Sequence, residues 1–109
     1  MWRYDEVSKR SISGFVSRRL LVLTALAGGA SHGYALINEI EHLSGTRIGP
    51  GTLYGLLADL EQSGLIEEVP SESRRCPFQL TASGRAFLIE KLNEADRLVA
   101  IGRQRLAIP

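Results

Sequence analysis

The stretch from residue 49 to residue 68, GPGTLYGLLADLEQSGLIEE, most constrains the fold that this chain can adopt. Pro50 suits the first position of a helix, and Gly64 favours the end of one. Between them one apolar stripe recurs at helical spacing, and small residues around Tyr54 occupy the opposite face. The stripe consists of Leu53, Leu56, Leu57 and Leu60. We therefore predict a helix with one buried face.

Two helices are predicted before this stretch. The apolar segment from Phe15 to Ala27 is followed by Gly28-Gly29, which predicts a largely buried helix with a glycine stop. Ser31 is placed to cap a second, amphipathic helix that runs from His32 to about Leu43 and ends at Ser44-Gly45.

A hairpin and a long helix are predicted after it. The segments LIEEVP and CPFQLT have the length and flanks of short strands and are joined by the polar loop SESRR. Thr81 is placed to cap a terminal helix that extends to about Leu106. Along this helix, positions recurring at alternating four- and three-residue steps form an apolar seam, which predicts a partner helix. The seam consists of Leu88, Leu92, Ala95, Val99, Gly102 and Leu106.

Composition narrows the function classes. A chain of 109 residues supports one domain, and its net charge of +1 gives no global electrostatic case for nucleic acid. The single cysteine and two histidines provide no zinc-ligand spacing, and the longest apolar run is too short to cross a bilayer. No phosphate-binding loop or nucleophile motif is present in the sequence. We therefore expect a cytoplasmic protein that is not an enzyme and has no cofactor, metal or membrane partner.

The predicted order of elements is that of a winged helix-turn-helix domain, a mainly α (α+β) fold with a two-stranded β wing. Three ordered blocks, HGYALINEIEHLSG, GPGTLYGLLADLEQSGLIEE and RRCPFQLTASGRAFL, resemble the signature blocks of the PadR family of bacterial transcriptional regulators. The resemblance covers about residues 15 to 92. It implies a DNA-binding domain at residues 15–81 and a C-terminal dimerisation helix at 82–109. Residues 1–14 mix charge, serine and two aromatics without a sustained period and are interpreted as an N-terminal arm.

The resemblance also implies a function. A homodimer would bind double-stranded operator DNA of palindromic sequence, with one recognition helix per subunit in the major groove and the wings on the flanking backbone. We expect a repressor that a small apolar or aromatic ligand releases from DNA. The chain departs from the family pattern at Gly55, Ala58 and Asp59, where members often carry proline or basic residues. In the second strand of the hairpin, members often carry aromatic or basic residues where this chain has Pro77, Phe78 and Gln79.

The predicted recognition helix contains no Lys or Arg, because the nearest basic residues are Arg47 and Arg74. Base contacts are expected from its small outward face, and phosphate contacts from helix N-termini, the preceding loop and the wing. The alternatives are that Tyr54 packs on its own helix and that the arginines, including Arg18 and Arg19, are only solvated. The candidates are His32, Tyr34, Arg47, Gly51, Thr52, Tyr54, Gly55, Ala58, Arg74 and Arg75.

Other predicted sites have open alternatives. The dimer interface is predicted at Leu88, Leu92, Ala95, Val99 and Leu106, but the same seam suits an intramolecular helix pair. An effector site is predicted at Trp2, Tyr4 and Phe15, aromatics that also suit a staple holding the N-terminal arm. Cys76 is interpreted as an ordinary strand cysteine rather than a redox sensor. The rival function is a winged-helix module whose uncharged third helix binds protein and not DNA.

Overall fold

The computed structural model describes residues 17–72 and 76–109. In these two ranges the chain forms four helices and one antiparallel pair of strands. The predicted fold class, a mainly helical winged helix-turn-helix, is confirmed. The arm at residues 1–14 and Phe15, where the first helix was predicted to begin, lie outside the described residues. The elements are α1 (Arg18–Ala27), α2 (Gly33–Ser44), α3 (Pro50–Gln62), β1 (Ile66–Glu68), β2 (Phe78–Leu80) and α4 (Ala82–Leu106).

Four helix ends are set by residues within a few positions of them, two through side-chain bonds and two through backbone conformation. Thr81 caps α4, since its hydroxyl oxygen accepts from the Gly84 amide at 3.0 Å. Ser17 caps α1 in the same way, accepting from the Leu20 amide at 3.2 Å. Pro50 stands in the first turn of α3, and Gly45 ends α2 in the left-handed conformation, with φ of 78°. The predicted caps at Thr81, Pro50 and Gly45 are thus confirmed.

The predicted cap at Ser31 is wrong. The residue that flanks α2 is His32, which makes no side-chain cap bond. Ser31 is engaged elsewhere, because its backbone forms a β-bridge with Phe78, with N–H to O distances of 3.0 and 2.8 Å. The segment before α2 is thereby joined to β2 by an isolated antiparallel bridge. Ser31 is therefore held in extended backbone pairing with β2 and does not cap α2.

The core lies where α1, α2 and α3 meet the wing and the start of α4. The predicted leucine stripe of α3 points into it, with Leu53, Leu57 and Leu60 buried and Leu56 partly buried. Ser44 is the one buried polar side chain of the described residues, and its hydroxyl donates to the Ile40 carbonyl at 2.7 Å. This bond closes the last turn of α2 before the chain enters α3.

Antiparallel pairing gives the wing two distinct faces. The register places Ile66 opposite Leu80, Glu67 opposite Gln79 and Glu68 opposite Phe78. Since side chains alternate along a strand, Glu68 and Phe78 share the inner face with buried Ile66. On the outer face the Gln79 amide donates to the Glu67 carboxylate at 3.0 Å. The strands are shorter than predicted, although the Val69 amide also donates to the Pro77 carbonyl at 2.7 Å.

Helix α4 crosses the start of β1 at very short range. Gly84 is buried, and a Cβ atom there would lie 1.8 Å from the Leu65 carbonyl oxygen. The same oxygen accepts from the Thr81 amide at 3.1 Å, while the Thr81 hydroxyl donates to the Gly64 carbonyl at 2.6 Å. A glycine is therefore required where α4 leaves the wing.

Beyond its first two turns, α4 extends away from the core. Leu88, predicted in the dimer seam, is only 5% exposed and belongs to the core of its own chain. The rest of the seam differs, since Leu92, Val99 and Leu106 are exposed and Ala95 is partly exposed. Among the described residues, the seam that is available to a partner starts at Leu92.

Candidate nucleic-acid interface

The outer face of α3 carries no basic residue and one aromatic side chain. Tyr54 is 57% exposed and is flanked by exposed Thr52 and Ala58, while the acids Asp59 and Glu61 are exposed towards the C-terminal end of the helix. Gly51 and Gly55 have no neighbouring atoms within 4 Å of where a Cβ would stand. Tyr54 therefore points outward, and nothing in the described parts of the chain covers the glycines.

This face borders a groove of about 480 Å³ between α2, α3 and the wing. The structure brings three predicted site residues together here, because His32, Tyr34 and Tyr54 all line the groove. Tyr34 is 67% exposed, so both tyrosines stand on the surface. The inner face of the wing completes the groove. The full lining is His32, Gly33, Tyr34, Tyr54, Leu57, Glu68, Cys76 and Phe78.

The helices that border this surface differ from the others at their N-termini. α1 and α4 have side-chain caps, whereas α2, flanked by His32, and α3, flanked by Gly49, have none. The residue that flanks each of these two helices thus accepts no bond from the first-turn amides, and those amides carry the positive end of the helix dipole. These two N-termini suit phosphate oxygens without any lysine.

Two arginines near α3 are held by acidic side chains. Arg47, predicted as a phosphate contact, donates from Nη1 to Glu41 Oε2 at 2.6 Å and to Asn38 Oδ1 at 3.2 Å. Arg19 lies with its Nε 3.5 Å from Asp59 Oδ2, which joins α1 to α3. Arg18 is exposed at the start of α1. Sequence patterns did not indicate these pairs, because each joins two different elements of the fold: Arg47 of the loop before α3 with α2, and Arg19 of α1 with α3.

The remaining predicted site residues divide between the groove and the undescribed ranges. Cys76 lies on the wall of the groove as a partly buried free cysteine. Glu68 was not predicted as part of the site. Because side chains two residues apart on a strand share a face, the burial of Ile66 is the signal that could have placed Glu68 there. The wing pair Arg74 and Arg75 lies outside the described residues, as do the effector candidates Trp2, Tyr4 and Phe15.

Comparison with known protein families decides the identity of this arrangement. The model of the transcriptional regulator PadR-like family matches residues 22–90, which span α2, α3, the wing and most of α1. The chain belongs to the PadR-like family. Members of this family are DNA-binding transcriptional regulators and not enzymes, so the exposed face of α3 is a candidate DNA-reading surface. No helix in residues 17–72 or 76–109 is long and apolar enough to cross a membrane.

Relatives of this PadR-like chain agree with that assignment. It is 36% identical over 95 residues to a transcriptional regulator of Mycobacterium tuberculosis, a match that covers 82% of this chain and 88% of the relative. It is 46% identical over 80 residues to an uncharacterised transposon protein of Streptomyces fradiae, covering 73% of this chain and 23% of that protein. The chain thus spans less than a quarter of the Streptomyces relative.

Solved structures give the same fold. The crystal structure of a PadR family transcription regulator from hypervirulent Clostridium difficile matches with a TM-score of 0.70 at 26% sequence identity. The match covers 81% of this chain and 96% of that one. The similarity therefore extends over most of both chains.

Proposed function

We propose that this PadR-like protein is a repressor that binds a palindromic operator as a homodimer and inserts α3 into the major groove. The observation that carries the proposal is the outer face of α3, where exposed Tyr54 stands among small residues beside two uncapped helix N-termini. Tyr54 is more than half exposed between two uncovered glycines, and its hydroxyl lies near Gly33 at the start of α2. Contact with an external partner would account for this exposure.

The proposed division of labour separates base contacts from phosphate contacts. The small residues Gly51, Gly55 and Ala58 let the α3 backbone approach the floor of the DNA major groove, while Thr52 and Tyr54 hydrogen-bond base edges or phosphate. The start of α2, with His32 and Tyr34, lines the protein groove beside α3 and contacts the flanking DNA backbone. Arg74 and Arg75 at the wing tip remain predicted backbone contacts. The recognition helix needs no cation of its own in this arrangement.

Dimerisation is proposed through the exposed part of the α4 seam. Leu92 is 51% exposed, and Ala95, Val99 and Leu106 continue its stripe along the helix. A second copy of the chain would bury this stripe as a helix pair. Two recognition helices related by the resulting two-fold axis would read half-sites about 34 Å apart.

The dimer proposal is tested by replacing Leu92 with glutamate. Leu92→Glu should lower both the molar mass in analytical ultracentrifugation and the affinity for operator DNA. Ile101→Glu is the matched control, because Ile101 is equally exposed but lies on the opposite side of α4. A dimer that persists in Leu92→Glu, or that is lost only in Ile101→Glu, would refute the proposed seam.

The DNA proposal is tested by fluorescence anisotropy with the DNA upstream of the protein's own gene. Tyr54→Ala should lower operator affinity by about tenfold, the scale of one good hydrogen-bonded contact. Gln62→Ala is the control, since it changes an exposed side chain at the far end of the same helix. Both variants should keep the circular dichroism spectrum of the parent. Failure of the parent to bind any duplex would favour the protein-interaction module instead.

Release by a small apolar ligand remains part of the proposal through Trp2, Tyr4 and Phe15. Aromatic side chains supply flat apolar surface that suits such compounds. Repeating the anisotropy titration with candidate aromatic ligands tests this step. Operator affinity that no ligand changes would remove it from the proposal and leave DNA binding intact.

A further inference from the structure

Two carboxylates of the helix-turn-helix hold the arginines that border α3. Glu41 and Asn38 on α2 both accept from Arg47, at 2.6 and 3.2 Å, so this guanidinium is folded back over α2. Asp59 on α3 lies 3.5 Å from Arg19 of α1. All four charged side chains are about half exposed. Neither pair is therefore buried, and solvent or another anion can reach each arginine.

Both arginines lie beside the helix that we propose enters DNA. Arg47 precedes α3 by three residues, and Asp59 places Arg19 against the C-terminal half of the same helix. Since α3 itself contains no Lys or Arg, these two side chains are a large share of the positive charge along it. Their availability decides much of the electrostatic attraction to DNA.

We propose that Glu41 and Asp59 compete with DNA phosphates for Arg47 and Arg19, and so limit the affinity of the protein for DNA of any sequence. The inference rests on the proposed function of α3. Guanidinium binds carboxylate and phosphate with the same donors, so an arginine engaged by one must leave it to engage the other fully. Each pair is an intramolecular competitor that a duplex must displace.

The size of the effect follows from the exposure of the pairs. An exposed ion pair shifts an equilibrium by about 1.5- to fivefold, so each carboxylate lowers DNA affinity by about that factor. Phosphates carry no sequence information, and the loss is therefore equal on operator and random DNA. The consequence is lower occupancy of DNA of any sequence, while the ratio of operator affinity to nonspecific affinity stays the same.

The experiment measures binding to a random-sequence duplex by anisotropy at low salt, with the full chain. Glu41→Gln and Asp59→Asn should each raise affinity about 1.5- to fivefold. Glu61→Gln makes the same charge change on α3, where the described structure shows no ion pair for Glu61. Glu94→Gln breaks an exposed pair with Lys91, 3.3 Å away on α4. Both controls should change affinity less than 1.5-fold, because neither releases an arginine beside α3.

A second background separates release of an arginine from simple loss of negative charge. In Arg47→Ala, the substitution Glu41→Gln should no longer raise affinity, and Arg19→Ala should abolish the effect of Asp59→Asn. A rise that persists without the arginine, or an equal rise in the two control variants, would overturn the competition. Thermal melts should agree within a few degrees, since the altered side chains are exposed.

The outcomes also separate this inference from the proposed function. If the parent protein binds no duplex even at low salt, the DNA-binding proposal fails and the competition fails with it. If the parent binds DNA but Glu41→Gln and Asp59→Asn behave like Glu61→Gln, only the competition is overturned.

Discussion

Replacing Gly84 with alanine tests the closest approach in the fold. The new methyl carbon would stand 1.8 Å from the Leu65 carbonyl oxygen and 2.8 Å from the carbonyl carbon, where Cβ atoms essentially never come within 3.0 Å. The obstructing atoms are backbone, so no side-chain rotation relieves the clash. The first turn of α4 and the start of β1 must separate by more than 1 Å.

The expected cost combines three terms. Overpacking against backbone costs about 3 kcal/mol, the upper end of the usual range. Separation also breaks the 3.1 Å bond from the Thr81 amide to the Leu65 carbonyl, worth about 1 kcal/mol. Alanine recovers up to about 1 kcal/mol over glycine in a helix. We expect a net loss of about 3 to 4 kcal/mol, or a melting temperature lower by about 12 to 30 °C for a domain of this size.

Thermal and urea denaturation followed by circular dichroism, at one protein concentration for all variants, measures this loss. Gly55→Ala is the matched control, because Gly55 is also helical but has open space around its Cβ position. The control should be stabilised by up to about 1 kcal/mol. A Gly84→Ala protein that melts within a few degrees of the parent would show that α4 does not cross Leu65 at this distance.

Three further substitutions have defined outcomes. Gly55→Ala should weaken operator binding about threefold or more (~0.7 kcal/mol) despite its higher melting temperature, because the methyl holds α3 off the groove floor; unchanged affinity by anisotropy would contradict that approach. Leu53→Ala should cost about 2 to 5 kcal/mol in urea denaturation, and partly buried Leu56→Ala less than half as much, whereas equal losses would contradict the buried stripe. Ala107 ends α4 with a left-handed φ of 54°, so Ala107→Gly should stabilise the last turn by about 1 kcal/mol. Slower amide exchange at the end of α4 is the expected result, and unchanged exchange would count against it.

The features that the sequence predicted correctly depend on neighbours in the chain. Pro50, Thr81 and Gly45 determine helix ends through bonds and dihedral angles within a few residues, and all three predictions were confirmed. The leucine stripe of α3 was equally readable, since its burial follows from helical spacing alone. Three signature blocks then gave the family, which pattern alone would have left open.

The features that the sequence did not predict depend on contacts between different elements of the fold. Ser31 has a side chain that suits a helix cap, but its backbone pairs with Phe78, which lies 47 residues further along the chain. Gly84 is required only because the Leu65 backbone crosses α4 at that point. Leu88 has the spacing of the apolar seam of α4, but it is buried in the core of its own chain. Arg47 precedes the recognition helix, yet its acceptors are on α2. Helical spacing does not tell which of two packing partners a residue meets.

Two backbone hydrogen bonds between Ser31 and Phe78 attach β2 to the segment before α2, in addition to its pairing with β1. A hairpin held by its own two strands could swing as a unit, whereas this one is tied to the residue just before α2. The interval between the α2 N-terminus and β2 is therefore fixed when the chain folds. We propose that the α2 N-terminus and the wing contact the same DNA backbone. Because their separation is set before binding, DNA binding does not include the conformational entropy cost of aligning them.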